Sequence, residues 1–154
     1  MAAIGFYHLT RTTAEQALPR LLGRTLDLGE RALVLVRGAD RVAAIDEALW
    51  QVLTPVWLPH GTVQAAHAAL QPILIAQEGG AVNKARFLFL LDGVQAASLD
   101  PFARVFDLFD GGDAAAMEAA RGRWTQCKEQ GHTLAYWRQE ARGWVEATRG
   151  AAAG

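Results

Sequence analysis

The stretch RALVLVRGADRVAAIDEALW, residues 31–50, decides the fold. Its first part, RALVLVRG (31–38), is a continuous apolar run closed by Gly38. A strand with one wet face alternates apolar and polar residues. A run that is apolar at every position suits a strand buried on both faces, as in a parallel sheet. The period then changes. In DRVAAIDEALW (40–50), Val42, Ile45, Leu49 and Trp50 fall near one side of a helix that Asp40 is placed to cap.

Upstream, IGFYHL (4–9) suits a first strand, and TTAEQALPRLLGRTLDLGE follows it. Thr13 and Gln16 have the spacing of a capping box. Ala17, Leu18, Leu21, Leu22 and Leu26 recur at helical intervals, Pro19 marks a start or a bend, and Gly29 supplies the stop. Strand, helix, strand, helix is the alternation of an α/β fold with right-handed crossovers.

Downstream, QVLTPVWLPHGTVQ (51–64) holds two prolines and a glycine and reads as loop, with Trp57 in its middle. QPILIAQ (71–77), RFLFLLDG (86–93) and RVFDLFDG (104–111) read as further strands; alternation in the last puts Val105, Asp107 and Phe109 on one side. Asp100-Pro101 opens a short turn. Asp113 caps a long helix, AAAMEAARGRWTQCKEQ, which ends at Gly131. HTLAYWRQEARGWVEATRG then continues to a small-residue tail at 151–154, expected to fray. The expected architecture is one α/β domain over residues 1–150: a mostly parallel sheet flanked by helices.

With 154 residues, the chain can bury a core without disulfides or metal. Its 51% apolar content places it outside the disordered class. A net charge of −1 argues against coating of nucleic acid by bulk charge, although a local basic patch is compatible with it. Cys127 is the only cysteine, so no internal disulfide forms and zinc sites built on several cysteines are excluded. The start MAAIGFYHLT lacks the pattern of a signal peptide, and no apolar run is long enough for a membrane span. A cytoplasmic protein is expected.

An α/β pattern invites a nucleotide-binding reading, but the phosphate motifs are missing. There is neither a G-x-G-x-x-G nor a G-x-x-x-x-G-K-[ST], and the turn after the second strand, RGAD, brings a carboxylate that repels phosphate. The single serine, Ser98, is in no nucleophile elbow. His60 and His67 lack the spacing and companions of metal ligands, and read as ordinary loop or surface histidines. Asp46 and Glu47 are adjacent, so on a helix they diverge and cannot form a facing acid/base pair. Cys127 with His132 lacks an orienting group, and a lone cysteine is more often a small core residue.

The richest segment is RGRWTQCKEQGHTLAYW (121–137). Met117, Arg121, Trp124 and Lys128 lie on one face of the long helix. Ala116, Ala119, Ala120 and Cys127 form a small-residue face, expected to approach the sheet and leave the first face exposed or half covered. An aromatic floor with a cationic rim suits a peptide carrying an apolar side chain and a negative charge. Residues 121–150 are basic, with Arg121, Arg123, Lys128, Arg138, Arg142 and Arg149 against Glu129, Glu140 and Glu146. The pattern alone does not choose between an acidic peptide and nucleic acid. Trp124, Tyr136 and Trp137 would be the stacking groups for single-stranded DNA.

FYHL (6–9), DEALW (46–50), WLPH (57–60), QPILI (71–75), NKARFLFLLDG (83–93) and R-x-R-W-x(6)-G-H-x-L-x-Y-W (121–137), in this order, resemble the chi subunit of bacterial DNA polymerase III. The resemblance implies a non-catalytic adaptor of the clamp loader, with a nucleotide-binding-like α/β fold and no cofactor. It implies two partners: the psi subunit, and the acidic, phenylalanine-ended tail of single-stranded DNA-binding protein. DNA would be met only indirectly, by a monomer or a heterodimer with psi. On the resemblance, Trp50, Arg121 and Trp124 belong to the tail pocket, and Trp57 to the psi surface. Many members carry a lysine where this chain has Met117, and Lys128 is the nearest substitute. Other readings are a degenerate nucleotide-binding or helicase-like domain and a direct single-stranded DNA binder.

Overall fold

The computed structural model describes residues 2–51, 58–62, 67–78, 82–141 and 143–149. Eight strands form one sheet: β1 (Ala3–Leu9), β2 (Ala32–Leu35), β3 (His60–Thr62), β4 (Ile73–Ala76), β5 (Phe87–Leu90), β6 (Arg104–Asp110), β7 (Thr133–Glu140) and β8 (Gly143–Arg149). Their order is β3-β4-β2-β5-β6-β1-β7-β8. All neighbours are parallel except β7 and β8, which form an antiparallel edge. The helices are α1 (Ala14–Asp27), α2 (Ala39–Trp50) and α3 (Ala114–Glu129). The α/β expectation holds.

The apolar runs behave as a parallel sheet requires. Every residue of β2, β4 and β5 is buried. Alternate residues feed two cores, one on each face. Ala32, Val34, Ile73, Ile75, Phe87 and Phe89 pack with α1 and α2, whereas Leu33, Leu35, Leu74, Leu88 and Leu90 pack on the side of α3. Thr13 and Gln16 form the expected capping box. α1 runs straight through Pro19, which is buried in the second turn. The missing N–H there removes one helical hydrogen bond, and burial of Leu18, Leu21 and Leu22 beside it offsets the loss.

Several expectations need correction. Asp40 is not the cap of α2: Gly38 holds that position at φ 94°, in the left-handed region that favours glycine. Asp40 sits in the first helical turn, where its charge still suits the positive end of the helix. The segment read as loop contains β3, a three-residue edge strand. Its residues 52–57, Trp57 among them, lie outside the described residues, as do Arg142 and the tail 151–154. HTLAYWRQE and GWVEATR, given no element from sequence, are β7 and β8.

Asn83 and Lys84, at the head of the NKARFLFLLDG stretch, have structural work. The Asn83 amide donates to the carbonyls of Ala32 (3.1 Å) and Gln71 (2.9 Å), tying the starts of β2 and β4 together. Lys84 turns the chain at φ 61°. Asp92 and Gly93, also at positive φ, end the approach to the next crossover.

The α3 side of the sheet holds a buried ion pair. Arg123 on α3 grips Asp107 on β6 through Nε (2.6 Å) and a terminal nitrogen (2.9 Å). Burial pushes the Asp107 carboxyl above its ordinary value, and Arg123 pulls it part of the way back. Removing one partner strands a charge in the core. Arg123→Ala is therefore expected to destabilise the fold by about 3–5 kcal/mol in urea denaturation, whereas Asp107→Leu with Arg123→Met recovers most of that loss.

Candidate functional site

The carboxyl ends of the parallel strands, where open α/β sheets bind ligands, come first. The loop after β1 presents the backbone N–H groups of Thr10, Arg11 and Thr12 toward one point, the geometry that holds phosphate in a nucleotide site. Here that point is filled by the protein itself. Gln139 Oε1, from β7, accepts all three, at 3.2, 2.9 and 3.1 Å. Gln139 Nε2 donates to Thr12 Oγ1 (2.8 Å), and Thr10 Oγ1 donates to the Gln139 carbonyl (2.7 Å).

The helix starts nearby are also closed. Thr13 and Gln16 cap α1, and the Asp113 carboxylate accepts from Ala115 and Ala116 at the start of α3. Glu15, Asp92, Asp110 and Asp113 line the hollow between them, so its lining favours cations over phosphate. Arg41 bridges Glu15 and Asp92. Among the described residues, no group of three His, Cys, Asp or Glu could hold a metal ion.

A second hollow, about 510 Å³, lies between α3 and the segment 95–100. Cys127, His132 and the Asp107–Arg123 pair line it. Burial and the Asp107 charge push the Cys127 thiol above its ordinary value. A reactive cysteine needs the opposite shift. His132 Nδ1 instead accepts the N–H of Ala2 (3.1 Å), fixing the start of β1.

The third hollow, about 340 Å³, lies on the α3 side of the sheet and is lined largely by apolar and aromatic side chains. Its walls are Phe6, Phe109, Ala120, Trp124 and Tyr136, with Met117 and Arg121 at its border and Thr125 on the next turn. Trp124 meets Phe6 edge-on at 5.2 Å and Tyr136 at 6.3 Å. The Tyr136 hydroxyl lies 2.5 Å from His8 Nδ1. Burial pushes the phenol up and the imidazole down, so the phenol donates and the neutral ring accepts. His8 in turn stacks on Phe109 at 5.2 Å. The pocket wall is thus held from behind by a hydrogen bond and ring contacts, not by loop residues.

The expected faces of α3 are partly reversed. Trp124 is 5% exposed and belongs to the core, together with Ala120 and Arg123. Ala119, expected inside, is exposed, while Ala116, Met117 and Cys127 are half-buried. The cause is energetic: a Trp ring removes far more apolar surface from water than an alanine face does, and Asp107 draws Arg123 inward. Arg121 and Lys128 remain exposed. Arg121 lines the pocket; Lys128, one turn past Trp124, does not. The Arg121 side chain is 75% exposed and lies 3.5 Å from the similarly exposed Glu118 carboxylate.

Trp50 does not join this pocket. It ends α2, on the opposite side of the sheet, is 63% exposed and rests on the His60 ring at 4.6 Å. His60 is not a surface histidine. It is buried in edge strand β3, with Nδ1 2.7 Å from the Leu58 carbonyl and Nε2 3.1 Å from the Asp46 carboxylate. Asp46 therefore faces a partner that sequence reasoning missed, and Glu47 accepts from Gln51 (2.7 Å). Tyr136 and Trp137 point to opposite faces of the sheet, and Trp137 stacks on Tyr7. With Trp124 in the core, the three rings cannot form one stacking platform for bases. Phe6 and Phe109 were not singled out from sequence as site residues, since FYHL and FDLFD carried them as strand core, and Tyr136 was read only as a stacking group for DNA.

Gln139→Ala is expected to speed amide hydrogen exchange at residues 10–12 and to lower stability by about 1–2 kcal/mol, given the small net worth of each hydrogen bond. Millimolar ATP or GTP should leave the melting temperature of the unaltered protein unchanged; a clear rise would revive the nucleotide reading.

Among the described residues, no helix is long and apolar enough to cross a membrane. A comparison with curated proteins found no match. The family model for the DNA polymerase III chi subunit, HolC, matches residues 1–135, which hold β1 to β6, the start of β7 and the three α-helices. The resemblance carried by the short motifs is thereby upheld, and with it an accessory role in replication. The chain belongs to the DNA polymerase III chi subunit family.

Proposed function

We propose that this protein is a non-catalytic adaptor that takes the acidic, phenylalanine-ended tail of single-stranded DNA-binding protein in the pocket beside α3, and connects it to the clamp loader through psi. The observation that carries this reading is the combination of an apolar, aromatic pocket with a guanidinium at its border. A terminal phenylalanine brings a ring for Phe6, Phe109, Trp124 and Tyr136, and a carboxylate for Arg121. Burial of an aromatic ring supplies affinity, and the Arg–carboxylate contact orients the chain end. Trp124 Nε1 adds support: it is buried and has no hydrogen-bond partner among the described residues. Such an orphan donor costs about 1–3 kcal/mol, and a ligand oxygen beside it would relieve that cost.

Met117 stands where a further cation would help. It borders the pocket and is half-buried, so it extends the apolar wall rather than the charged rim. Lys128 can attract the acidic part of the tail only from outside the pocket. The affinity is therefore expected to lean on ring burial more than on charge, with a modest salt dependence.

Trp50 fits the second partner better than the tail. It is exposed on the far side of the sheet, at the β3 edge, and stands seven positions before Trp57 in the sequence. Trp57 is kept as a psi contact on the family resemblance, and Trp50 is assigned to the same surface. A large exposed indole on a sheet edge is a common protein-interface anchor.

Calorimetry with a synthetic acidic tail peptide tests the pocket. Arg121→Ala should weaken binding roughly tenfold, the lower end for a hydrogen bond to a charged group. Met117→Lys should strengthen it a few-fold, within the about 1 kcal/mol of an exposed pair. A peptide lacking its terminal phenylalanine should give no heat. Equal affinity for the truncated peptide would sink the assignment.

Trp50→Ala is expected to leave tail binding unchanged and to weaken capture of psi in a pulldown. Loss of tail binding in this variant, with the fold intact by circular dichroism, would return Trp50 to the tail site.

A further inference from the structure

Across the sheet from the α3 pocket lies an open trough of about 670 Å³. One wall is α1, the other the β7–β8 hairpin, and the contacts of Gln139 with the loop at residues 10–12 fix the two walls together. Arg11, Arg20 and Arg24 line it, with Trp144 on the hairpin side. Arg20 and Arg24 are one helical turn apart and share a face of α1.

The charge of the trough is unbalanced. Its two carboxylates, Glu15 and Glu140, are already engaged by arginines outside the trough, Arg41 and Arg138. Arg11, Arg20 and Arg24 form no ion pair among the described residues, and all three are exposed. Glu146 acts with Arg24 on the Tyr7 hydroxyl, so Arg24 has a carboxylate within its field. Arg11 and Arg20 are the less compensated pair. Arg20 and Arg24 lie along α1 and Arg11 on the loop before it, so the three cations come from separate positions of the lining. That spacing suits a chain of repeated negative charges better than a single carboxylate. Trp144 is half-buried and edge-on to Tyr7 at 5.0 Å, which holds the indole firmly beside the cations.

We propose that this trough binds the phosphate backbone of single-stranded DNA, with Arg11 and Arg20 on phosphates and Trp144 offering a ring to a base. Guanidinium groups along a groove with an aromatic platform are the usual means of sequence-tolerant single-strand binding. The near-neutral charge of the whole chain makes the binding weak and local, suited to guiding a strand held elsewhere by a replication assembly. The surface is separate from the α3 pocket, on the other side of the sheet, so its success or failure is independent of the tail reading.

The test is fluorescence anisotropy of a labelled oligothymidylate of roughly 20 nucleotides, titrated with the full chain at about 50 mM salt and then at higher salt. Binding that fades with salt is expected. In the Arg11→Ala, Arg20→Ala double variant the log–log salt slope should fall by about 2, one for each phosphate contact. The corresponding double lysine variant should keep the slope, and Arg121→Ala should bind as the unaltered protein does. No anisotropy change at about 100 μM protein would overturn the proposal, since even non-specific contacts are detectable in that range. So would an unchanged slope in the double alanine variant, or binding by a polyglutamate peptide where the oligonucleotide fails.

Discussion

The contact between Arg123 and Asp107 is the constraint on which the α3 side depends. α1 and α2 cover one face of the sheet together, while α3 is the one α-helix on the other among the described residues. Its core face is thin: Ala120 and Trp124 are its buried apolar residues. A helix anchored by so little apolar area has freedom to rotate about its axis, and rotation would carry Arg121 away from the pocket. The bidentate grip of Arg123 on β6 removes that freedom, because a fork of two hydrogen bonds has one orientation. The raised Asp107 carboxyl indicates that burial is only partly offset by the partner. The pair therefore acts more as a register for the helix than as a net source of stability. Phe6 and Tyr136, paired across β1 and β7, complete that register with ring contacts to Trp124.

The same economy explains what fills the loop where a nucleotide-binding fold would hold phosphate. Parallel strands unavoidably bring helix starts and loop N–H groups to one end of the sheet. Those donors need acceptors. In this chain Gln139, Asp113 and the Thr13–Gln16 box supply them internally. An amide oxygen in the place of a phosphate satisfies the loop without leaving a charge behind, and it fastens the β7–β8 hairpin to the rest of the sheet. The site is filled for structural use, and what remains for function lies on the flanks of the sheet.

The parts of this arrangement legible in the sequence were those with a large energetic signal. β2, β4 and β5 are apolar at every position, and only a doubly covered strand explains that. β7 was opaque because Thr133, Tyr136, Trp137 and Gln139 in Thr133–Glu140 mix core and surface chemistry. Each of its faces has different neighbours: Leu134 enters the core, Gln139 caps a loop. β3 was opaque because it is three residues long, Gly61 disfavours a strand, and the segment is held by pairing to β4 and by His60 contacts that no local pattern reveals. Helical spacing grouped Met117, Arg121 and Trp124 correctly around one pocket but misjudged its depth. Spacing gives angles around an axis; it does not give the tilt of the helix on the sheet or the pull of Asp107. Trp50 and Arg121 are joined by motif and separated by topology, since a crossover connection places α2 and α3 on opposite faces.

That separation bears on how an adaptor can work. Two partners that compete for one surface would make a switch; two partners on opposite faces make a bridge. The α3 pocket and the β3 edge share no lining residue, and the sheet core between them is fully buried at Leu33, Val34, Leu74 and Ile75. On the proposed reading, therefore, tail and psi bind independently, and the gain from holding both comes from effective concentration rather than from coupled affinities. A weak tail pocket is then no defect. On the same reading, Met117 in place of a cation would favour quick release of a coated strand, and the partner on the far edge would keep the bridge.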